Sequence, residues 1–380
     1  MNRSQIIEPT RHWVVKLGSA VFLRDANAVD RTTFASLIED IDGLLRRGIR
    51  VTLVSSGAVA LGRQSLGLGP EPSANIPRLQ AFAALGQSRL VQMYETEFAH
   101  YQRKVAQILF TRGDLDDRRR FLNARMALEM VHELGAIPII NENDSVATEE
   151  LRFGDNDQLA AMTCGLVRAD LLVILSDVDG IFEVEVDADS GQRRFTQRLS
   201  HIALEDERLD HIAGPTVSGV GRGGMVTKVL SARIAGRFGI STVIAPGKRR
   251  HVLGDLADGQ DLGTLVYAQT RTSTGGTKAW LGTGARPLGK LICDAGAVLA
   301  VQKAGASLLA SGIRQVEGDF AEGSVVELIG PSGAAFARGV TVYNAHDIRK
   351  IAGQHSDAIA QILGFKILDA VVHRDNLVVL

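Results

Sequence analysis

The sequence predicts an α/β protein: a large domain on a mostly parallel sheet, then a small, mainly β domain. Three observations predict it. Six short apolar runs between Trp13 and Ala245 are continuous rather than alternating, as strands covered on both faces require. Longer stretches with helical spacing separate those runs, the pattern of a layered α/β domain. Beyond Leu265 the texture changes to a Thr/Gly-rich stretch and then to short, glycine-punctuated apolar segments.

The runs cover residues 13–17, 51–54, 105–110, 136–140, 171–175 and 240–245. Residues 33–47 and 121–134 carry helical spacing between them. In the second of these, Leu122, Met126, Met130 and Leu134 line up as one stripe, and Gly135 stands where the helix should stop. This domain is placed at 10–265, a linker at 266–287 and the second domain at 288–366. The linker placement rests on the Thr/Gly composition of 270–286. Within the second domain, strands are expected at 291–293, 324–329 and 339–342 and a helix at 347–363, and a final strand is expected beyond it at 370–372.

Composition excludes several classes of function. The 42 basic and 43 acidic residues of this 380-residue chain nearly cancel, so no global field draws in nucleic acid or an anionic membrane. Cys164 and Cys293 lack metal spacing and are too few for a disulfide framework. No apolar core follows Met1 as a signal peptide needs, and no apolar run approaches the ~20 residues of a membrane helix. A soluble, cytoplasmic protein is expected.

Chemistry collects at the strand ends, where open parallel sheets bind ligands. The first strand ends in Lys16-Leu17-Gly18-Ser19, and the second runs into Ser55-Ser56-Gly57-Ala58. The fourth empties into Asn141-Glu142-Asn143-Asp144 and the fifth into Ser176-Asp177. Only nine of the basic residues are lysines, and Lys16 interrupts an apolar strand, where a bare ammonium is costly. Gly18 beside it allows backbone N–H groups to approach an anion. A second cation, Lys228, closes Gly219-Val220-Gly221-Arg222-Gly223-Gly224-Met225-Val226-Thr227-Lys228, which opens a helix whose free N–H groups favour an anion. This run fits G-x-G-x-x-G, but no strand precedes it and no acid follows at the dinucleotide spacing. The run 284–291 fits a P-loop only until Leu291, where a hydroxyl is needed for magnesium.

The stretch 141–157 mixes Asn143, Asp144, Glu149, Glu150, Asp155, Asn156 and Asp157. The ligand order of an EF-hand is absent. Acids mixed with amides suit a zwitterionic amino acid, whose ammonium needs acceptors and whose carboxylate needs donors. Glu149 and Glu150 read as solvated loop charge, and the nine histidines are scattered without metal spacing.

Taken together these segments resemble the glutamate 5-kinase family of the amino acid kinase superfamily. Val14-Val15-Lys16-Leu17-Gly18-Ser19, the run 54–60, Gly86-Gln87-Ser88-Arg89-Leu90, the run 118–125 and the run 139–146 carry the likeness. Gly154-Asp155-Asn156-Asp157, Ser176-Asp177 and the run 217–228 complete it. Residues 288–366 resemble the PUA domain of longer members. The resemblance implies an αβα sandwich that transfers the γ-phosphoryl of ATP to the side-chain carboxylate of L-glutamate, the first step of proline biosynthesis. By position, Lys16 and Lys228 would contact phosphates and Asp157 would orient them. Ser56, Asp144 and Asn156 would hold glutamate. Ser176, Asp177, Arg222, Gly223, Gly224, Met225, Val226, Thr227 and Lys228, with Lys16, would bind ATP, which carries Mg2+. The family also implies feedback by proline, a homo-oligomer and hand-over to glutamate 5-phosphate reductase; no residue is assigned as a metal ligand. Arg222 and Arg152 depart from the family pattern, which usually has Thr at the first position and often Lys at the second. Two other readings compete. One is a kinase for aspartate or N-acetylglutamate. The other is RNA binding through the PUA-like domain, whose Arg314, Arg338, Arg349 and Lys350 are interspersed with acids and form no basic stripe. Neither RNA nor a membrane is expected as partner.

Overall fold

The computed structural model describes residues 3–24, 28–69, 75–147, 155–186, 193–213, 224–268, 281 and 287–380. The chain forms two compact units, Met1–Asp114 with Leu122–Thr272, and Leu115–Phe121 with Ser273–Leu380. Most of the expected linker lies outside the described residues.

The first unit is built on an eight-stranded sheet. Its strands are β1 (His12–Leu17), β2 (Arg50–Ser55), β3 (Lys104–Phe110), β4 (Ala136–Glu142), β5 (Leu171–Ser176), β6 (His201–Ala203), β7 (Ser241–Pro246) and β8 (Thr264–Tyr267). They lie in the order β6-β8-β7-β5-β1-β2-β4-β3, and only β7 and β8 pair antiparallel. The six expected runs are all strands. β6 and β8 are additional, and both are too short for their pattern to separate strand from loop. Burial explains why the central runs are apolar throughout: every residue of β1 and β5 is buried. Even Trp13 is fully enclosed, its indole N–H donating to Thr10 Oγ1 at 2.7 Å.

β1 lies between β2 and β5, so the chain leaves it first toward one edge and later toward the other. That reversal opens a crevice at the carboxyl end of β1. Register sets what meets there, since Leu17 pairs with Ser55 on one side and Leu175 on the other.

Helices α1 (Arg31–Arg46), α2 (Ala58–Ser65), α3 (Ile76–Ala99), α4 (Arg118–Glu133), α5 (Asn156–Val167) and α6 (Met225–Gly236) connect the strands. The expected helix near 121–134 is α4, but its apolar stripe faces outward. Met126, Met130 and Leu134 are 59%, 52% and 77% exposed, and the buried positions are Phe121, Arg125 and Leu128. The reason is a tertiary cap. Arg125 donates from Nε to Leu166 O at 2.9 Å and from Nη2 to Gly165 O at 3.0 Å, satisfying carbonyls at the end of α5. No described helix is long and apolar enough to cross a membrane.

The second unit holds a six-stranded sheet formed by Gly289–Cys293, Leu308–Leu309, Ile313–Glu317, Val325–Ile329, Ala335–Thr341 and Ala370–Val379. Its last strand is ten residues long and continues past 366, where the sequence placed the domain's end. The expected helix 347–363 is two helices, Ala345–Ile351 and Ile359–Leu363, interrupted at Gly353 with φ 76°. Tyr343 ties this region to the sheet: its buried hydroxyl donates to Leu368 O at 2.6 Å and accepts from the N–H groups of Ile367 and Leu368.

Two histidines meet at the amino end of β1. Thr52 Oγ1 lies 3.0 Å from His12 Nε2 and 2.9 Å from His132 Nε2. One hydroxyl hydrogen serves at most one ring, so at least one of the two rings must donate to Thr52 Oγ1, and a ring that accepts from it is neutral. Burial, with His132 and Arg50 nearby, holds His12 well below its usual range, and burial with Arg50 brings His132 from 6.5 to about 4. Because the folded state binds these protons less readily than the unfolded chain, stability is complete above pH 6.5 and declines as pH falls toward 4. Melting at pH 5 is therefore expected roughly 3–6 °C below that at pH 7, with the pH slope reduced in His132→Gln. An unchanged slope in that variant would place the proton uptake elsewhere.

Candidate active site

Lys16 is the penultimate residue of an entirely buried strand and needs an anion. It finds Asp157, the second residue of α5, whose Oδ1 lies 2.5 Å from Lys16 Nζ. Lys228, in the first turn of α6, approaches the other oxygen, Nζ to Oδ2, at 3.1 Å. One fully buried carboxylate thus holds two nearly buried ammonium groups, 5% and 4% exposed. Burial by itself would raise the Asp157 carboxyl, but Lys16 and Lys228 outweigh it and hold the group below its usual range. The helix N-terminus works in the same direction. Asp155 caps α5, accepting from Asp157 N at 3.2 Å, and lies 3.9 Å from Lys16. Thr227 Oγ1 is 2.9 Å from Asp155 Oδ2 and ties α6 to α5.

Next to this ion cluster runs a chain of amides. Asn156 Nδ2 lies 3.0 Å from Ser55 O, 2.9 Å from Ser56 Oγ and 2.8 Å from Asn141 Oδ1. Asn141 also accepts from Glu142 N, and its own amide donates to Gln87 Oε1 at 2.8 Å. The turn after β2 is equally constrained. Tyr94 OH donates to Ser55 Oγ at 2.8 Å, and Gly57, with φ 108°, opens α2 where a side chain would meet the Phe22 ring at 3.0 Å. Ser56 and the start of α2 therefore face a prepared space.

That space is a cleft of about 390 Å3 lined by Lys16, Ser56, Asp144, Asn156, Ser176 and Lys228, among others. A second cleft, of about 660 Å3, shares Ser176 and Asp177 with it and adds Phe182, Arg198, Lys248 and Arg249. Ser176 Oγ donates to Asp177 Oδ1 at 3.0 Å at the junction. Lys16, Lys228, Asp157, Ser56, Asp144, Asn156, Ser176 and Asp177 are thus brought together. Thr227 joins them from behind, its Oγ1 2.9 Å from Asp155 Oδ2 and 3.3 Å from Asp157 Oδ2, whereas Gly224, Met225 and Val226 form the start of α6 and line neither cleft. Arg222, Gly223 and Arg152 lie outside the described residues. Sequence reasoning passed over Asn141, Gln87 and Asp155 as site residues. All three stood in segments that suggested the family, yet only contacts across the fold give them work.

The site can neutralise a concentrated negative charge at one end and hold a small polar zwitterion at the other. Residues 11–246 match the model of the amino acid kinase family, and residues 289–363 match the PUA domain. The chain belongs to the amino acid kinase family. Within that family it belongs with the glutamate 5-kinases. A glutamate 5-kinase of Pseudomonas putida is 46% identical over 368 residues, 97% of each chain. One of Stutzerimonas stutzeri is 43% identical over 372 residues, 98% of each. The crystal structure of a UMP kinase from Bacillus anthracis aligns with 69% of this chain and 98% of its own, at TM-score 0.45 and 12% identity. The amino acid kinase match spans the whole crevice, from β1 to the end of β7.

Proposed function

We propose that this kinase performs its glutamate phosphorylation in the crevice at the end of β1, with the γ-phosphoryl of ATP beside Lys16 and Lys228. The observation that carries this reading is the buried pair of lysines on one carboxylate. The acceptor carboxylate oxygen bonds to the γ-phosphorus while the bond to the β-phosphate bridging oxygen breaks, giving glutamate 5-phosphate and ADP. The carboxylate is already ionised near pH 7, so no proton moves and no general base is needed. What must be overcome is the approach of one anion to another, and two fixed cations meet that need. Asp157 holds both ammonium groups in place without the reorganisation a solvated lysine would require.

Magnesium enters as part of the nucleotide. Magnesium of this kind is held chiefly by the phosphates and by water. The second cleft, with Lys248 and Arg249 beside Phe182, suits the rest of the nucleotide. An acyl phosphate hydrolyses readily, which favours direct hand-over to a reductase of glutamate 5-phosphate.

Glutamate's head group belongs beside Asp144 and Asn156. N-acetylglutamate has no ammonium for Asp144 to meet, which disfavours that alternative acceptor. RNA binding by the second unit is disfavoured too, since Arg338 is paired with Glu327 at 2.9 Å and Arg314 with Asp294 at 2.8 Å. The test is turnover with MgATP and glutamate, aspartate or N-acetylglutamate, trapping the acyl phosphate as a hydroxamate. Glutamate should be the preferred acceptor. In Asp144→Ala and Asn156→Ala the KM for glutamate is expected to rise about 10–100-fold while that for ATP changes little. A defect confined to ATP would reverse the assignment of the two ends.

A further inference from the structure

Among the described residues that line the cleft, Arg63 is the cation that the ion cluster does not use. It lies on α2 and lines the same space as Ser56, Asp144 and Asn156. Its side chain is half-buried, and its Nε is buried without a hydrogen-bond partner among the described residues. An unmade hydrogen bond from a buried guanidinium nitrogen is unfavourable, so this guanidinium keeps donor capacity that an incoming acceptor could use. The position is regular. Val59 and Ala60 also line the cleft, and residues three and four apart share a helix face, so Arg63 continues the face that the turn after β2 begins. From Gly57 to Arg63 the helix advances roughly 9 Å, which sets Arg63 away from the ion cluster and toward the far end of a bound amino acid.

Charge arithmetic identifies the ligand group. Glutamate brings a reacting carboxylate, an ammonium and an α-carboxylate. Lys16 and Lys228 face the first, and Asp144 suits the second. The third has no assigned cation, and a planar fork of N–H donors is what a carboxylate takes best. We propose that Arg63 receives the α-carboxylate of glutamate and is thereby the residue that distinguishes glutamate from carboxylic acids lacking that group. This rests on placing the head group beside Asp144.

The experiment uses the full chain with MgATP and two acceptors, glutamate and 4-aminobutanoate, which is glutamate without its α-carboxylate. In Arg63→Met the KM for glutamate should rise about 10²–10³-fold, the KM for ATP should stay within about 3-fold, and melting should stay within about 2 °C. The kcat/KM for 4-aminobutanoate should not change, so glutamate's advantage collapses by the same factor. If turnover of the analogue is too slow to follow, its inhibition constant against glutamate gives the same comparison. Arg63→Lys keeps the charge without the fork and should fall between wild type and Arg63→Met. Equal losses for both acceptors, a matching rise in the KM for ATP, or a lower kcat at unchanged KM for glutamate would overturn the proposal. Asp144→Ala separates the two levels. If it too leaves the KM for glutamate unchanged, the placing of the head group fails, and Arg63's role with it. If only the Arg63 variants are silent, the placing stands and the assignment of Arg63 fails.

Discussion

Lys16→Ala and Lys228→Ala are each expected to lower kcat about 10²–10³-fold or more, the loss seen when one fixed electrostatic donor is removed from a transition state. Each variant leaves Asp157 paired with the remaining lysine, Lys228 at 3.1 Å or Lys16 at 2.5 Å, so the core keeps a neutral pair. Melting should therefore fall only modestly. Asp157→Ala is the contrasting case. It leaves two ammonium groups, 5% and 4% exposed, without their shared carboxylate, and breaking such a buried arrangement costs about 3–5 kcal/mol. Both kcat and melting temperature should collapse in that variant. Steady-state kinetics with calorimetry on the three proteins checks the pattern. Near-normal kcat in either lysine variant with unchanged melting would end the two-cation mechanism.

Gly86→Ala is expected to be nearly as damaging, through geometry alone. A β-carbon at Gly86 would lie 1.8 Å from Ala58 O and 2.4 Å from Gly62 N, and one at Gly62 would lie 1.8 Å from Phe82 O. Helices α2 and α3 thus cross with their backbones in contact, and one methyl group forces them apart. Neither listener to the strain is a side chain that turns away: both are backbone. Overpacking of this kind costs about 1–3 kcal/mol or more. Because α2 begins at the wall of the cleft proposed to hold glutamate, the displacement should also raise the KM for glutamate. Gly43→Ala in α1 is the control. Nothing lies within 4 Å of its β-carbon position, and helix propensity predicts a gain of about 0.5–1 kcal/mol. Parallel thermal melts decide the matter, and equal effects at the two glycines would refute the close crossing.

These cases show where local pattern stops informing. The strands of the sheet were legible because a parallel strand covered on both faces must be apolar at every position, a property written in consecutive residues. Lys16 was legible for the same reason, as a cation where the pattern permits none. The face of α4 was not. Periodicity identified the helix, but an arginine reaching the end of α5 gave Arg125 and Leu128 the inside and left Met126 and Met130 outside. The break at Gly353 likewise interrupts what spacing reads as one helix.

By itself the sequence determined the α/β class and the residue types that stand at the strand ends, where the structure gathers them around one cleft. Tertiary structure alone decided the partnerships: Asp157 with a lysine 71 positions away, Asn156 with a serine 100 positions away, and Asn141 with a glutamine 54 positions away. The same holds for Gly86 against α2 and for the Nε of Arg63, unpartnered among the described residues. The physical reason is range. Strand and helix patterns repeat every two to four residues and can be read locally. A polar partner depends on strand order and register, which bring distant segments to the one crevice where the chain reverses beside β1.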